Sequence, residues 1–143
     1  MAEPIDTRFL ETLVGYNARR AAVAIIGVFL QRMAPYGLRP VDFSVLSVIT
    51  HNPGITSRQL CSTLSILPPN LVGLINTLEK RALIERKPHP RDGRAIGLHL
   101  TVEGEKLMVA AEKTVAKLES EASARLTATE RKTLIRLLQK VYL

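Results

Sequence analysis

The sequence predicts a mainly α-helical fold with one small β-hairpin, built as a single compact domain. Apolar residues recur at three- and four-residue steps over most of the 143 residues, which is the period of an amphipathic helix. Residues 96–101 instead alternate apolar with small or polar residues, as a strand does. The length suits one domain with one core, and 46% hydrophobic residues supply the apolar surface that a core needs.

Two helices are predicted in the first third of the chain. The first covers residues 6–34, and its apolar positions keep the helical period: Phe9, Leu13, Tyr16, Ala21, Ala24, Ile25, Val28 and Phe29. Residues 34–40 end it because they hold Gly37 and two prolines, which break helices. The second helix begins at Pro40, a residue suited to a first turn, and continues to about His51. Its buried positions are Phe43, Leu46 and Ile49.

A turn over residues 51–55 leads to two further helices. Residues 56–64 form a short helix whose start is marked by a capping box of Thr56 and Gln59, in which each side chain binds the other's backbone N–H. The next helix covers residues 69–81. Pro69 disfavours helical geometry at Pro68, so Pro68 is predicted as the cap and Pro69 as the first helical residue. The buried stripe is Leu71, Leu74, Ile75 and Leu78.

The last third of the chain is predicted as a hairpin and two helices. Residues 82–101 form two strands around a charged turn near Arg91–Gly93. A helix starts at Val102 with a stripe of Leu107, Ala111, Val115, Leu118 and Ala122. The final helix covers residues 126–143, with Thr127 as its cap and Glu130 completing a second capping box. A helix–turn–helix followed by a hairpin is the layout of a winged helix-turn-helix, and the charged turn is its wing.

The charge indicates a polyanionic partner. The formal net charge is +7 and the pI is about 10.0, which favours nucleic acid or an anionic membrane surface. Residues 56–100 hold seven Lys/Arg and three acidic residues, whereas the rest of the chain holds thirteen and ten. The basic surplus is therefore enriched in the helix-turn-helix and hairpin.

Other classes of protein are disfavoured. The single cysteine, Cys61, forms no internal disulfide and fits a reducing cytoplasm, and a structural role suits it better than redox sensing. The most apolar run, residues 21–30, is shorter than the ~20 residues that span a bilayer, and the N-terminus does not read as a secretory signal. No nucleophile–base pair, phosphate loop or metal-ligand spacing is found. We therefore expect a cytoplasmic protein that is not an enzyme, without catalytic residues, metal or other cofactor, and with His89 solvated on the wing.

Three stretches resemble the MarR family of bacterial transcriptional regulators: residues 53–56, residues 78–107 and the final helix. The family's wing pattern is Asp-Pro-x-Asp-x-Arg, an alternating strand, and then Leu-Thr-x-x-Gly. It appears here as residues 89–94, followed by Leu100, Thr101 and Gly104. The resemblance extends over about residues 9–141.

The resemblance implies a homodimeric regulator of double-stranded DNA, expected here as a repressor of a palindromic operator that is relieved by a small ligand. Residues 1–34 and 102–143 would dimerise, and residues 35–101 would bind DNA. Because the amphipathic helices would form a dimer core, no membrane partner is expected. Helix 69–81 would enter the major groove and wing 88–96 the minor groove. A small aromatic or anionic effector would bind beside residues that form either a pocket or a salt-linked helix junction: Tyr16, Arg20, Arg39, Asp42 and His51.

The wing carries the expected minor-groove contact. A narrow minor groove concentrates negative potential and attracts a guanidinium, and Arg94 is the residue expected to enter it. Asp92 would orient Arg94 or a cation of the fourth helix, and Gly93 would let the turn adopt a positive φ.

The exposed face of helix 69–81 carries the expected major-groove contacts. Asn70 and Asn76 would read adenine edges, and Thr77 and Lys80 would contact phosphates. The free N–H groups at the helix start would bind a DNA phosphate, water or Ser65. The expected DNA-binding set is Arg58, Pro69, Asn70, Gly73, Asn76, Thr77, Lys80, Lys87, Arg91, Asp92 and Arg94.

The start of the same helix also motivates an alternative. It is unusually apolar, with Pro68, Pro69, Leu71, Val72 and Gly73. A winged-helix dimer that contacts another protein and binds all duplexes weakly would also fit this composition.

Overall fold

A computed structural model describes residues 2–143 of the chain. Those residues form six α-helices: α1 (Val14–Met33), α2 (Pro40–His51), α3 (Ser57–Leu64), α4 (Pro68–Lys80), α5 (Val102–Ala122) and α6 (Ala128–Tyr142). They also form three strands: β1 (Ile55–Thr56), β2 (Ile84–Pro88) and β3 (Ile96–Leu100). The predicted mainly α fold with a β-hairpin wing is confirmed.

The first helix starts later than the prediction of residue 6. A 3-10 turn at Leu10–Thr12 comes first, and Leu13 is extended before α1 begins at Val14. The side-chain amide of Asn17 donates to the carbonyls of Glu11 and Leu13, which holds this break in place. The apolar period continued through the break because side chains three residues apart also align in a 3-10 turn.

The connection between α1 and α2 is held from two sides. Gly37 ends a second 3-10 turn in the left-handed region, at φ 61°. Arg81, which follows α4, donates from its guanidinium to the carbonyls of Tyr36 and Gly37, each at 2.9 Å. The buried carboxylate of Asp42 accepts the backbone N–H of Arg39 at 2.9 Å and pairs with its guanidinium. These bonds start α2 at Pro40, as predicted.

The start of α4 corrects the predicted cap. Leu67, rather than Pro68, is the extended residue before the helix, and Pro68 is already helical. The carbonyl of Leu67 accepts the N–H groups of Asn70 and Leu71 at 3.0 and 3.1 Å. Both prolines therefore occupy first-turn positions, where their missing N–H groups leave no bond unmade.

The sheet is antiparallel, with strand order β1-β3-β2. In the hairpin Ile84 pairs with Leu100 and Pro88 with Ile96. The edge strand β1 was not predicted because two residues show no period. It approaches β3 at Gly97, where a Cβ atom would lie 2.9 Å from the carbonyl oxygen of Gly54.

One apolar core joins α1, α2, α3, α4, the hairpin and α5. The predicted stripe of α4 is confirmed, since Leu71, Leu74, Ile75 and Leu78 are all buried. Met108 of α5, which lies outside the predicted stripe of that helix, is also buried there. This packing fixes the outer face of α4 relative to the hairpin.

Helix α6 has a regular start but no buried residue within one chain. The predicted capping box forms, with Thr127 Oγ1 accepting the N–H of Glu130 at 3.1 Å and Glu130 accepting that of Thr127. The latter bond lowers the pKa of Glu130. The apolar side chains of α6 are exposed: Leu134, Ile135, Leu137, Leu138, Val141 and Tyr142.

No single helix of residues 2–143 has the length and hydropathy to cross a membrane. Within the described residues, one bent pair of helices, α1 with its following turn and α2 at an angle of 68°, meets that test by length and composition.

Candidate nucleic-acid interface

The outer face of α4 is exposed over its whole length. Its buried stripe faces the core, which leaves the polar and small residues on the opposite side in solvent. All the α4 residues expected to contact DNA are exposed: Pro69, Asn70, Gly73, Asn76, Thr77 and Lys80. Part of this face opens into a groove of about 790 Å³ that includes Pro69, Asn70, Gly73 and Thr77, together with Arg39 just before α2.

The first turn of α4 has no spare N–H groups to offer a ligand. Pro68 and Pro69 lack them, and those of Asn70 and Leu71 bond to the carbonyl of Leu67. The expected choice between a phosphate, water and Ser65 as acceptor therefore falls away, because the donors are already absent or used. Any phosphate near this turn would bind side chains instead.

A side-chain network connects the second half of α4 to the wing. Arg86 of β2 donates from Nη2 to Asn76 Oδ1 at 2.9 Å and from Nε to Glu79 Oε2 at 3.1 Å. Thr77 donates its hydroxyl proton to the carbonyl of Gly73 at 3.0 Å. The sequence did not predict this network, because Arg86 is ten residues from Asn76 and lies on a different element.

The tip of the wing is shaped by Asp92. Its Oδ1 accepts the backbone N–H of Arg94 at 3.0 Å, and its carbonyl accepts that of Ala95 at 3.0 Å. Asp92 therefore orients the backbone of Arg94, where an effect on the side chain was expected. No ion pair within residues 2–143 holds the exposed guanidinium of Arg94, which leaves it available at the end of the hairpin.

Two expectations for the wing are wrong. Gly93 does not have a positive φ; the positive-φ residues in the described chain are Ser65, Ala82, Gly37 and Gly54. The bonds of Asp92 make the turn without that geometry. His89 is half-buried instead of solvated, because it lines a cavity together with Gln59 and Thr63 of α3.

The remaining cations of residues 56–100 divide into two groups. Arg58, Lys80 and Arg91 are exposed on α3, α4 and the wing. Arg81 and Arg86 are engaged by carbonyls and by Glu79, as described above, and Lys87 pairs with Glu85 at 3.1 Å. The available positive charge is therefore concentrated on α3, α4 and the wing tip, the surfaces that a duplex would meet.

The residues expected around an effector fall at three separate places in one chain. Tyr16 and Arg20 contact each other on α1, with the guanidinium donating to the phenol oxygen at 3.4 Å. Arg39 and Asp42 form the ion pair at the start of α2, and this bond raises the pKa of Arg39. His51 lies about 18 Å away at the far end of α2, with its Nε2 3.1 Å from Glu112 of α5.

Cys61 and the histidines form no metal centre in the described part of the chain. Cys61 is half-buried and packs against the core. No group of three or more His, Cys, Asp or Glu side chains in residues 2–143 has the geometry to hold a metal ion.

An exposed helix held by a helix-turn-helix core, beside a hairpin with an available arginine at its tip, defines a winged helix-turn-helix DNA-binding protein. The family model of the MarR family matches residues 36–95. The chain is 32% identical over 130 residues to the protein assigned to transcriptional regulation of the hcr operon in Thauera aromatica. The aligned residues cover 90% of this chain and 78% of that protein. The chain belongs to the MarR family, whose members are transcriptional regulators.

Further relatives agree with this membership. An HTH-type transcriptional repressor of Mycobacterium tuberculosis is 27% identical, over 90% of this chain and 92% of its own length. The structure of the transcriptional repressor CouR bound to a 23-mer DNA duplex is similar with a TM-score of 0.91 at 33% identity, covering 99% of this chain and all of that one. A mutant of MarR from E. coli complexed with operator DNA is similar with a TM-score of 0.84 at 25% identity, covering 99% of this chain and all of that one.

Proposed function

We propose that the chain is a homodimeric repressor that binds a palindromic operator and leaves it when a small aromatic ligand binds. The observation that carries the proposal is the similarity to CouR bound to a DNA duplex, which extends over 99% of the chain. The exposed face of α4 and the available arginine of the wing support it. As a regulator of a bacterial gene, it would act in the cytoplasm.

In this proposal α4 lies in the major groove and the wing in the minor groove. Residues 35–101 form the DNA-binding region. Arg94 enters the minor groove, where negative potential is concentrated, while Arg58, Lys80 and Arg91 meet phosphates. Lys87 would also meet a phosphate by leaving Glu85, its partner on the same strand. Pro69, Asn70, Gly73, Asn76 and Thr77 face the bases or the adjacent backbone, and Asp92 holds the wing tip.

Residues 1–34 and 102–143 form the dimerisation region. Helix α6 buries none of its side chains within one chain. Its apolar residues lie in solvent: Ile135 is 50% exposed and Val141 is 72% exposed. An apolar face of this kind is costly in water. A second copy of the chain would cover it, and would place two α4 helices about one DNA turn apart, ~34 Å.

An aromatic acyl group is the proposed effector. CouR is also known bound to p-coumaroyl-CoA, in a structure 33% identical that covers 96% of this chain. Here α1, α2 and α5 enclose a cavity of about 260 Å³ lined in part by Phe29 and Phe43, whose ring centroids are 6.0 Å apart in an edge-on arrangement. We propose this cavity for the aromatic part, and the cations Arg20 and Arg39 for an anionic part of the same ligand. Tyr16, beside Arg20, and Asp42, beside Arg39, would complete the surroundings, whereas His51, paired with Glu112 at the far end of α2, would lie outside them.

Fluorescence anisotropy tests the DNA-binding part of the proposal. Purified protein is titrated against duplexes from the region upstream of its own gene and against scrambled duplexes, at several salt concentrations. Tight binding to one duplex, weakening linearly in log Kd against log salt, is expected because phosphate contacts release counterions. Equal, weak binding to every duplex would contradict the proposal and favour a protein-interaction module.

The effector part is tested on the same complex. Aromatic acids and their CoA thioesters are added to the preformed complex, and release of the duplex is measured. Release by an aromatic thioester, but not by free CoA, is expected. Binding of none of these compounds would contradict the proposed effector while leaving the DNA-binding result intact.

A further inference from the structure

We propose that Arg86 fixes the side chain of Asn76 so that this asparagine presents hydrogen-bond donors to DNA and selects guanine at one position of each operator half-site. From the sequence alone, Asn76 was expected to read adenine. The inference rests on the proposed function, because it requires α4 to lie in the major groove.

The orientation of the Asn76 amide follows from the chemistry of its partner. A guanidinium has five N–H donors and no acceptor, so the Asn76 atom that faces Arg86 Nη2 at 2.9 Å must be Oδ1. The other amide atom, Nδ2, therefore points away from Arg86. Among residues 2–143 nothing accepts a hydrogen bond from Asn76 Nδ2, and the residue is exposed.

Glu79 keeps Arg86 in this position. Its Oε2 lies 3.1 Å from Arg86 Nε, and it is three residues from Asn76, on the same face of α4. The guanidinium is thus held at two points on one helix face, which is more specific than a single bond to a mobile side chain. Arg86 and Glu79 are both about two-fifths exposed, so the network borders the proposed DNA surface.

This arrangement disfavours adenine. An asparagine that reads adenine accepts a hydrogen bond from N6 with Oδ1 and donates to N7 with Nδ2. Here Oδ1 already accepts from Arg86, and the cation beside it repels the positive edge of the adenine amino group. Guanine offers two acceptors, N7 and O6, at the same edge. The free donors of Asn76 and the remaining N–H groups of Arg86 match that pair.

Asn70 is an internal comparison on the same helix. It is exposed, as Asn76 is, but no side chain in the described chain bonds to its amide. Asn70 therefore keeps both its acceptor and its donors, and the bidentate contact with adenine stays open to it. The two asparagines of α4 are thus expected to read different bases.

The test measures base preference at every operator position for the full-length protein. Competition anisotropy compares all four base pairs at each position for the unmodified protein, Asn76→Ala, Arg86→Met and Lys87→Met. The unmodified protein should prefer guanine by about tenfold or more at one symmetric position, and Asn76→Ala should lose that preference alone. Arg86→Met should shift it towards adenine. Lys87→Met removes a charge from the same strand and should weaken binding evenly across sequences.

A second measurement keeps the Arg86–Asn76 network intact. Guanine at the Asn76-dependent position is replaced by 7-deazaguanine, which lacks the N7 acceptor, or by inosine, which keeps N7 and O6. Only 7-deazaguanine should weaken binding of the unmodified protein, and it should not weaken binding of Asn76→Ala further.

Three results would overturn the inference: adenine preferred at the Asn76-dependent position, an unchanged preference in folded Arg86→Met, or no effect of 7-deazaguanine. Failure of the unmodified protein to prefer any sequence would instead overturn the proposed function, so the two failures are distinguishable.

Discussion

Individual residues of this chain gain their roles from backbone geometry that residue type alone does not reveal. Gly93 is a glycine at the wing tip without a positive φ, while Ala82 has φ 57° and Ser65 has φ 53°. A non-glycine residue in the left-handed region is disfavoured by the contact of Cβ with its own backbone. The strained positions therefore lie at the ends of α3 and α4, outside the functional turn.

Ala82→Gly is expected to stabilise the protein by about 1 kcal/mol, because it removes the Cβ atom from a left-handed residue. The matched control is Gly93→Ala, which adds a Cβ atom where nothing lies within 4 Å and should change stability little. Urea denaturation followed by circular dichroism measures both. A loss of stability in Ala82→Gly would show that the left-handed geometry costs nothing here.

At the wing tip, Arg94→Ala is expected to weaken operator binding by about tenfold or more, since its guanidinium is the proposed minor-groove contact. Arg91→Ala removes an equal charge three residues away and should act as a phosphate contact, with a smaller loss and a salt slope reduced by about one. Anisotropy at several salt concentrations separates the two. Equal effects of both variants would reduce Arg94 to a general charge.

At the level of elements, the joint between the hairpin and α5 explains the Leu-Thr-x-x-Gly pattern. Thr101 donates its hydroxyl proton to the carbonyl of Ala82 at 2.6 Å and accepts the N–H of Gly104 at 3.0 Å. Gly104 lies directly against the carbonyl of Leu83, so a Cβ atom there would collide with it. Threonine thus joins the hairpin to α5, and glycine permits the close approach.

Gly104→Ala is accordingly expected to destabilise the protein by about 1–3 kcal/mol, because the buried start of α5 and the chain before β2 must separate. Gly73→Ala is the control: it lies in an exposed helix with nothing within 4 Å, so it should gain about 0.5–1 kcal/mol. Thermal unfolding of both variants measures the difference. A stable, unshifted Gly104→Ala would contradict the close approach.

Elements with local signals were predictable from the sequence, and those set by distant contacts were not. The capping boxes of Thr56 and Thr127 are complete within four residues, so α3 and α6 could be located. The start of α1 depends on the amide of Asn17 reaching backward, and β1 exists only because it pairs with β3. The same limit applies to the site: the exposed face of α4 followed from its buried stripe, whereas the bond of Arg86 to Asn76 depends on how the hairpin packs.

At the scale of the whole molecule, the exposed apolar face of α6 is the proposed dimer interface, and a dimer is needed to bind both halves of a palindromic operator. Two half-sites are bound together only when two DNA-binding regions are held at a fixed separation. Ile135→Glu places a charge on that face. In an isolated chain this exposed position should tolerate the change within about 0.5 kcal/mol, whereas in a dimer interface it buries an unpaired carboxylate.

Ile135→Glu is therefore expected to convert the dimer to a monomer that remains folded, and to weaken operator binding by at least tenfold, since the second half-site no longer contributes. Thr133→Glu introduces the same charge on the polar side of α6 and should leave both properties unchanged. Analytical ultracentrifugation gives the mass, and anisotropy with full and half operators gives the affinity. If Ile135→Glu stays dimeric and binds the operator with unchanged affinity, α6 does not form the interface. The two DNA-binding regions must then be joined through another surface of the chain.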